Sequence, residues 1–331
     1  MSKVNKYSAA IIGCGDIGYR FDADWSDDRE GALTHFRALK NSDKFEFISV
    51  AEKNQETLDI ISSHSNISCY ENYINMLSEQ MPDIISIVTN DESHYKILND
   101  ILKIKDYKPK FVFCEKPLAL NLDEIETICE KYSEAGIPLQ VNYTRRFLNE
   151  FIEINKDIDK QNTGRIESVT FYYSRGLVHN ASHYIDLALW YFGIPDEVLS
   201  FSSKKGITDS DKSVSFILKY NKGPELIFIG LDTGKLSFAE IDIVGTAGRI
   251  KFNFKNEIER YEVISNPVFK GYTSLNLESS VPVKFEYALP NAYENIFDVI
   301  NNKQELHSPA ENSIKIFDLI NKIRENRIWQ N

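Results

Sequence analysis

Over the first 145 positions the apolar residues fall into short unbroken runs, each closed by glycine, proline or polar turn formers. Runs at 7–12, 45–50, 84–89, 111–114 and 139–141 are too short for helices and rich in Ile, Val and Phe, which predicts buried strands. Between them the segments 34–40, 55–62, 94–104 and 122–132 read as helices. The last has Asn121 as its cap and Glu124 as a capping-box partner. Such alternation predicts an α/β domain with a doubly wound, mostly parallel sheet and helices on both faces. From residue 164 onward short strands dominate, at 168–173, 198–202, 213–220, 226–231, 237–244 and 249–254. Turns such as "NKG" and "GTAG" separate them and suit hairpins better than crossover units.

Length and charge narrow the class. A chain of 331 residues fits two domains, expected at 1–145 and 146–331. A net charge of -11 argues against non-specific nucleic-acid binding and against docking on anionic membrane. A few local Arg and Lys can still hold an anionic small molecule. No apolar run approaches the ~20 residues of a membrane span, and "MSKVNKYSAAIIG" lacks the apolar core and cleavage site of a signal peptide. Cys14, Cys69, Cys114 and Cys129 are widely spaced without a CxxC and read as reduced, buried thiols. A cytoplasmic enzyme or binding protein is expected.

Into the first strand–helix junction falls "IIGCGDIG", with Gly13, Gly15 and Gly18 in GxGxxG spacing around Asp16 and Ile17. Placed there, the motif predicts a dinucleotide site. Gly13 permits the tight turn, Gly15 lets the backbone approach a pyrophosphate, and Gly18 lets the following helix pack on the sheet. The helix N-terminus then offers N–H groups to the phosphates. Glu52 closes the second strand, where a carboxylate accepts from both ribose hydroxyls and repels a 2′-phosphate; this favours NAD over NADP, although Lys53 follows directly. The acidic stretch "FDADWSDDREG" is longer than a minimal crossover needs. It has five carboxylates from Asp22 to Glu30 but not the ordered spacing of a calcium loop, and reads as a solvated excursion. Pro117 pushes Lys116 toward an extended conformation, and strand-end residues of an open α/β sheet face the ligand crevice, so Lys116 is expected at the nicotinamide.

"LVHNASHYIDLALW" (177–190) puts His179, His183 and Asp186 on one helical face. Three readings compete. Zinc suits His at i and i+4, but no Glu follows the first His and no thiol is near; a third ligand from a distant segment stays open. A plain amphipathic helix would bury Ile185, Leu187, Ala188 and Trp190. The third reading is proton transfer. Alcohol oxidation needs a hydride acceptor, a proton acceptor and charge stabilisation for the developing alkoxide. An imidazole ordinarily titrates at about 6.5, whereas an amine at about 10.4 must be lowered to serve as a base. His183 is therefore given the proton transfer and Lys116 the hydrogen bond to the reacting oxygen, with shared or reversed roles open. Arg145, Arg146, Arg165 and Arg175 lie near the expected domain junction and suit a pyrophosphate, or else form ion pairs. Asn142, Tyr143, His179 and Asn180 are candidates for substrate contact on position.

The Glu115-Lys116-Pro117 signature following the GxGxxG resembles the glucose–fructose oxidoreductase / inositol dehydrogenase / rhizopine catabolism (Gfo/Idh/MocA) family. "SIVTNDESH" (86–94), "VNYTRRF" (141–147), "GRIESVTFYYSRG" (164–176), "IDIVGTAGRIKF" (241–252) and two closing helices at 291–301 and 310–324 extend the resemblance over nearly the full chain. It implies a Rossmann domain followed by an α+β domain with a large open, mostly antiparallel sheet, the closing helices packing back on the first domain. It implies NAD contacts by Thr89, Asn90, His94 and Glu115, and an active-site histidine at His183 in a D-x-x-x-H-x-x-D pattern. His179 stands where many members have Asp, and Asn90 where the family usually has Pro. The HN-x-x-H arrangement resembles a subset acting on nucleotide sugars. The implied activity is hydride transfer between NAD(H) and a carbinol carbon of a sugar or nucleotide-sugar by a homodimer or homotetramer. A non-catalytic sensor of the same fold is the alternative.

Overall fold

Six short apolar runs lie side by side in the order β3-β2-β1-β4-β5-β6, every pairing parallel. They are β1 (Tyr7–Ile12), β2 (Phe45–Ala51), β3 (Ser68–Tyr70), β4 (Ile84–Ile87), β5 (Phe111–Cys114) and β6 (Leu139–Val141). The helices between them are α1 (His35–Lys40), α2 (Gln55–His64), α3 (Tyr73–Gln80), α4 (Asp91–Ile101) and α5 (Leu122–Ala135). Strand order reverses between β1 and β4, which in such sheets opens a crevice at the carboxyl ends of these strands. Local chemistry sets the helix starts: Thr34, Asn54, Asn72 and Asn121 each accept a backbone N–H two or three residues on. The computed structural model describes residues 6–26, 28–234 and 236–326. Residues 1–5 of the N-terminal stretch and Asp27 of the acidic excursion lie outside the described residues.

The chain divides into two units, the first made of Met1–Phe147 and Phe285–Ile314, the second of Leu148–Lys284 and Lys315–Asn331. The first unit is thus completed by α8 (Ala288–Ile300). Its Tyr293 and Phe297 pack edge-on against Phe45, and Tyr293 against Phe113. Each such buried ring contributes roughly 1.5–3 kcal/mol. The other closing helix, α9 (Glu311–Glu325), was expected on the first domain; the division passes through it at Ile314.

The second unit opens with α6 (Asn149–Asp159) and β7 (Ile166–Ser174), then α7 (Ser182–Phe192). Seven strands follow: β8 (Glu197–Lys204), β9 (Ser213–Lys219), β10 (Glu225–Leu231), β11 (Ala239–Gly245), β12 (Gly248–Phe252), β13 (Glu257–Ser265) and β14 (Thr273–Pro282). The eight strands form one sheet, β14-β13-β12-β11-β7-β10-β9-β8, antiparallel except where β10 runs parallel to β7. "NKG" and "GTAG" do join antiparallel neighbours. Phe171, Phe228 and Phe216, from three adjacent strands, stack with ring centroids 4.3 Å apart and form the centre of its core.

Several segments differ from the sequence expectation. The edge strand β3, α3, α6, β13 and β14 were not expected; β13 and β14 have few buried positions, whereas α6 buries Phe151 and Ile154 on one face. No α-helix opens at Gly18: Tyr19 and Arg20 N–H groups donate to Gly15 O, a 3-10 turn follows at Arg20–Asp22, and the first α-helix begins only at His35. His35 N–H then donates to Ile17 O and Phe36 N–H to Gly18 O, both at 3.0 Å. α1 therefore continues the hydrogen bonding of the glycine turn, and 19–34 is an insertion into a single crossover helix. Nor is that insertion simply solvated. Asp22 is buried and accepts from Leu33 N, Thr34 N and Thr34 Oγ1 at 2.7, 3.0 and 2.6 Å. Arg37 donates to the carbonyls of Ser26, Arg29 and Gly31.

Candidate active site

The glycine turn in the first unit has three distinct environments. Gly13 sits at φ +98°, and a Cβ there would meet the Val88 carbonyl carbon at 2.7 Å. A Cβ on Gly18 would lie 2.5 Å from Gly13 O. At Gly15 nothing lies within 4 Å of the Cβ position. Two glycines are thus required by the protein's own backbone, and the middle one faces open space, which is where a bound pyrophosphate would approach. Asp16 is exposed and paired with Arg20, and Ile17 is half-buried. Glu52 folds under the turn: Oε2 accepts from Cys14 N–H at 2.7 Å, and Oε1 from Lys53 and Asn54 N–H at 2.8 and 2.9 Å. Its carboxylate is thereby fixed at the end of β2 as a second-strand acceptor. Burial pushes the Cys14 thiol far up, with the nearby Glu52 charge adding to it, so this cysteine stays protonated and inert.

At the end of β4, Thr89 is half-buried and accepts from Ser93 Oγ at 2.7 Å, while Asn90 is exposed and donates to Glu92. His94, expected at the cofactor, is instead fully buried: Nδ1 meets Pro117 O at 2.7 Å and Nε2 meets Thr89 O at 3.1 Å. It holds the loop after β4 to the loop after β5. Lys116, half-buried, is the second residue after β5. Glu115, also expected at the cofactor, turns inward and accepts from Asn142 Nδ2 at 2.6 Å and from His35 Nε2 at 3.0 Å. Burial pushes its carboxyl up, but the His35 hydrogen bond and charge, then Asn142 and Lys116, hold it below the usual carboxylate range. Asn142 and Arg146, expected at substrate, are engaged inside the unit: Asn142 on Glu115, Arg146 on His307 O at 3.2 Å. Tyr143 is buried. Of the other two arginines, Arg145 lies 5.8 Å from the Phe285 ring and Arg165 forms an exposed pair with Glu167.

In the second unit, residues Leu177–Ala181 form a π-helical turn before α7 begins at Ser182. His179 lies in that turn and His183 in α7, so the regular α-helical face expected across them is broken by a wider turn. The turn is tied down by Asp211, whose carboxylate accepts from Val178 and His179 N–H at 2.8 and 2.9 Å, and by Asn180 Nδ2 donating to Ser174 O at 2.8 Å. Ile185, Leu187 and Ala188 are fully buried; Trp190 is half-buried. Arg175 adopts a left-handed φ of +69° beside Gly176 and, with Lys205, lines a cavity of about 570 Å³. Asp211, His35 and Tyr293 escaped sequence reasoning; none lies in a motif, and their partners are 32 to 258 residues away. No group of three or more His, Cys, Asp or Glu among the described residues could hold a metal, and no helix among them is long and apolar enough to cross a membrane.

Comparison with known proteins places the first unit. The model of the Gfo/Idh/MocA oxidoreductase family, NAD-binding Rossmann fold, matches residues 7–143. The match covers the whole six-stranded sheet of the first unit. Among curated relatives, the inositol 2-dehydrogenase/D-chiro-inositol 3-dehydrogenase of Lactiplantibacillus plantarum is 26% identical over 57% of this chain and 53% of its own. The match thus spans about half the length of that relative. The inositol 2-dehydrogenase of Rhizobium meliloti is 24% identical over 70% of this chain and 73% of its own. Two solved structures share the fold of the whole chain. An Agrobacterium radiobacter oxidoreductase, in complex with NAD+, L-tartaric acid and magnesium, superposes with a TM-score of 0.74 at 16% identity, over 97% of this chain and 96% of its own. The WlbA dehydrogenase of Bordetella pertussis, in complex with NADH and UDP-GlcNAcA, gives 0.72 at 17% identity, over 97% and 96%. The open face at Gly15 and the fixed Glu52 carboxylate are features that an NAD-binding Rossmann fold, as the matched model is described, requires.

Proposed function

We propose that the protein is an NAD(H)-dependent oxidoreductase acting on a carbinol carbon of a sugar or nucleotide-sugar. The open Gly15 between two backbone-crowded glycines, above an anchored Glu52, carries the reading. Backbone N–H groups at 15–17 would hold the pyrophosphate, and Glu52 the adenosine ribose. Bound nicotinamide supplies the hydride acceptor or donor. Lys116 donates a hydrogen bond to the reacting oxygen, and His183 takes or returns its proton. Asn180 and His179, on the turn fixed by Asp211, contact substrate hydroxyls. The Arg175–Lys205 cavity, which Asp232 also lines, favours the nucleotide-sugar form, since its two cations outnumber the one carboxylate and suit a diphosphate. The curated inositol dehydrogenases favour a free cyclic polyol as the second reading.

Homo-oligomerisation through the second unit's sheet is part of the proposal. Opposite the stacked phenylalanines, Leu199, Ile217, Ile227, Ile229 and Tyr172 share one face in register. A face of this kind is more often covered than left to water. The four cysteines are free thiols, in keeping with a cytoplasmic setting.

The test is absorbance at 340 nm with NAD+ against a panel of inositols, free sugars and UDP-sugars, beside calorimetry of NAD+ and NADP+ binding. Turnover of a panel member with NAD+ preferred is expected. Tight NAD+ binding with no turnover by any member favours a sensor, and no dinucleotide binding at all ends the reading.

A further inference from the structure

Two routes of direct contact in the second unit join the Arg175–Lys205 cavity to the turn that carries His179 and Asn180. The first is the loop between β8 and β9, which begins at Lys205. Near its end Asp211 folds back: its N–H donates to Thr208 Oγ1 at 3.1 Å, and its carbonyl sits so close to Gly206, a residue of the cavity wall, that a Cβ there would collide with it. The Asp211 carboxylate then takes the Val178 and His179 N–H groups at 2.8 and 2.9 Å. A Cβ on Gly176 would strike the same carboxylate. The second route starts at Thr233, also in the cavity wall. Leu236 O accepts from Thr233 Oγ1 at 2.5 Å and from Ser174 Oγ at 3.1 Å, and Ser174 O accepts from Asn180 Nδ2 at 2.8 Å. Arg175 stands between Ser174 and Gly176 and lines the cavity itself. Its left-handed φ of +69° is a conformation that a non-glycine residue keeps only where its surroundings impose it.

We propose that this cavity is a subsite that works through the turn: a diphosphate held by Arg175 and Lys205 immobilises the walls it touches, and Asp211 and Ser174 pass that order to the segment presenting His179, Asn180 and His183. The inference rests on the proposed function and deepens it, giving the diphosphate of a nucleotide-sugar a part in positioning the groups that meet the sugar. The planar guanidinium of Arg175 suits two oxygens of a phosphate at once, and the Lys205 ammonium adds a point charge. A free polyol lacks the anion and leaves both routes unloaded. Binding of a non-reacting part of a substrate serves the reacting end only where the two ends share structure that both can order. Here the shared structure is the pair of routes from Gly206 and Thr233 to the turn. Asp211 and Ser174 are then positioning residues.

The experiment reads the turn directly, without turnover. The probe is inorganic pyrophosphate, with sulfate at matched ionic strength as the reference. Binding to the full-length protein is measured by calorimetry, and amide hydrogen exchange is followed by mass spectrometry in the peptide holding residues 177–181. Saturating pyrophosphate is expected to slow exchange there by about tenfold, toward the low end for coupling between two sites. Lys205→Ala should abolish the slowing. Asp211→Asn should still bind pyrophosphate yet show no slowing, because its amide sets a donor against one of the two N–H groups. Absence of pyrophosphate binding overturns the proposal, and so does binding that leaves exchange at 177–181 unchanged. Slowing that persists in Lys205→Ala also overturns it, since the anion then acts from another site. Should Asp211→Asn not fold, wild type and Lys205→Ala decide by the same two readouts. A slowed turn in a protein that turns over no sugar leaves the coupling standing and removes the proposed function. Turnover of a UDP-sugar with exchange at 177–181 unmoved does the reverse.

Discussion

The two units hold their candidate groups by opposite means. In the first, the glycine turn, Glu52 and the residues around Lys116 are fixed by backbone groups of several parallel strands: Cys14 N–H on Glu52, and Thr89 and Pro117 carbonyls on His94. In the second, the two histidines ride on one helical segment, and the turn that starts it is held largely by side chains, the Asp211 carboxylate and the Asn180 amide. A site built from main chain tolerates little change in shape but accepts changes of surrounding side chain. A site built on one tethered helix can be retuned by a few side chains.

The strongest test of the contrast is His183→Asn. Catalysis should fall by about two to four orders of magnitude with NAD binding near normal, the usual contribution of a general acid–base group. Steady-state kinetics with calorimetry measures both, and unchanged turnover removes His183 from the reaction. Next comes the glycine turn. Gly18→Ala should destabilise the first unit by on the order of 3 kcal/mol, because its Cβ meets backbone that cannot give way. Gly15→Ala should unfold like the wild type yet lose most of its NAD affinity. If Gly15→Ala binds NAD normally, the main-chain account of the phosphate site is wrong.

The smallest effect concerns His307, stacked on Phe147 in the first unit. Burial lowers its pKa, and the positive charge of Arg146 lowers it further. The unfolded chain therefore binds the proton more readily, so stability is full above about pH 6.5 and declines as pH falls through the folded value. Urea midpoints measured from pH 7.5 downward should show this slope, and His307→Gln should flatten it. An identical slope in the variant assigns the acid sensitivity to other groups.

Much of the first unit was legible because its strands are buried on both faces and closed by Gly or Pro. The runs 7–12, 111–114 and 139–141 coincide with β1, β5 and β6. β13 and β14 were not legible, since an edge ribbon with few buried positions has no inside to alternate against. The glycine spacing pointed to NAD, but the helix expected to follow it is interrupted by an insertion whose continuity is visible only in the bonds from His35 and Phe36 back to Ile17 and Gly18. The inward turn of Glu115 escaped notice for a related reason. Its partner His35 is 80 residues away, and His35's partner Tyr293 is 258 residues further along.

Tyr293 lies on a helix synthesised only after residues 148–284 of the second unit. Until then the nascent Rossmann core lacks the ring that Phe45, Phe113 and His35 close upon. At about 5–20 residues per second, the wait between residue 147 and the end of α8 is on the order of ten seconds. During synthesis the first unit has all six strands by residue 141 yet waits for α8 to cover them, while the second unit's eight strands are all made by residue 282.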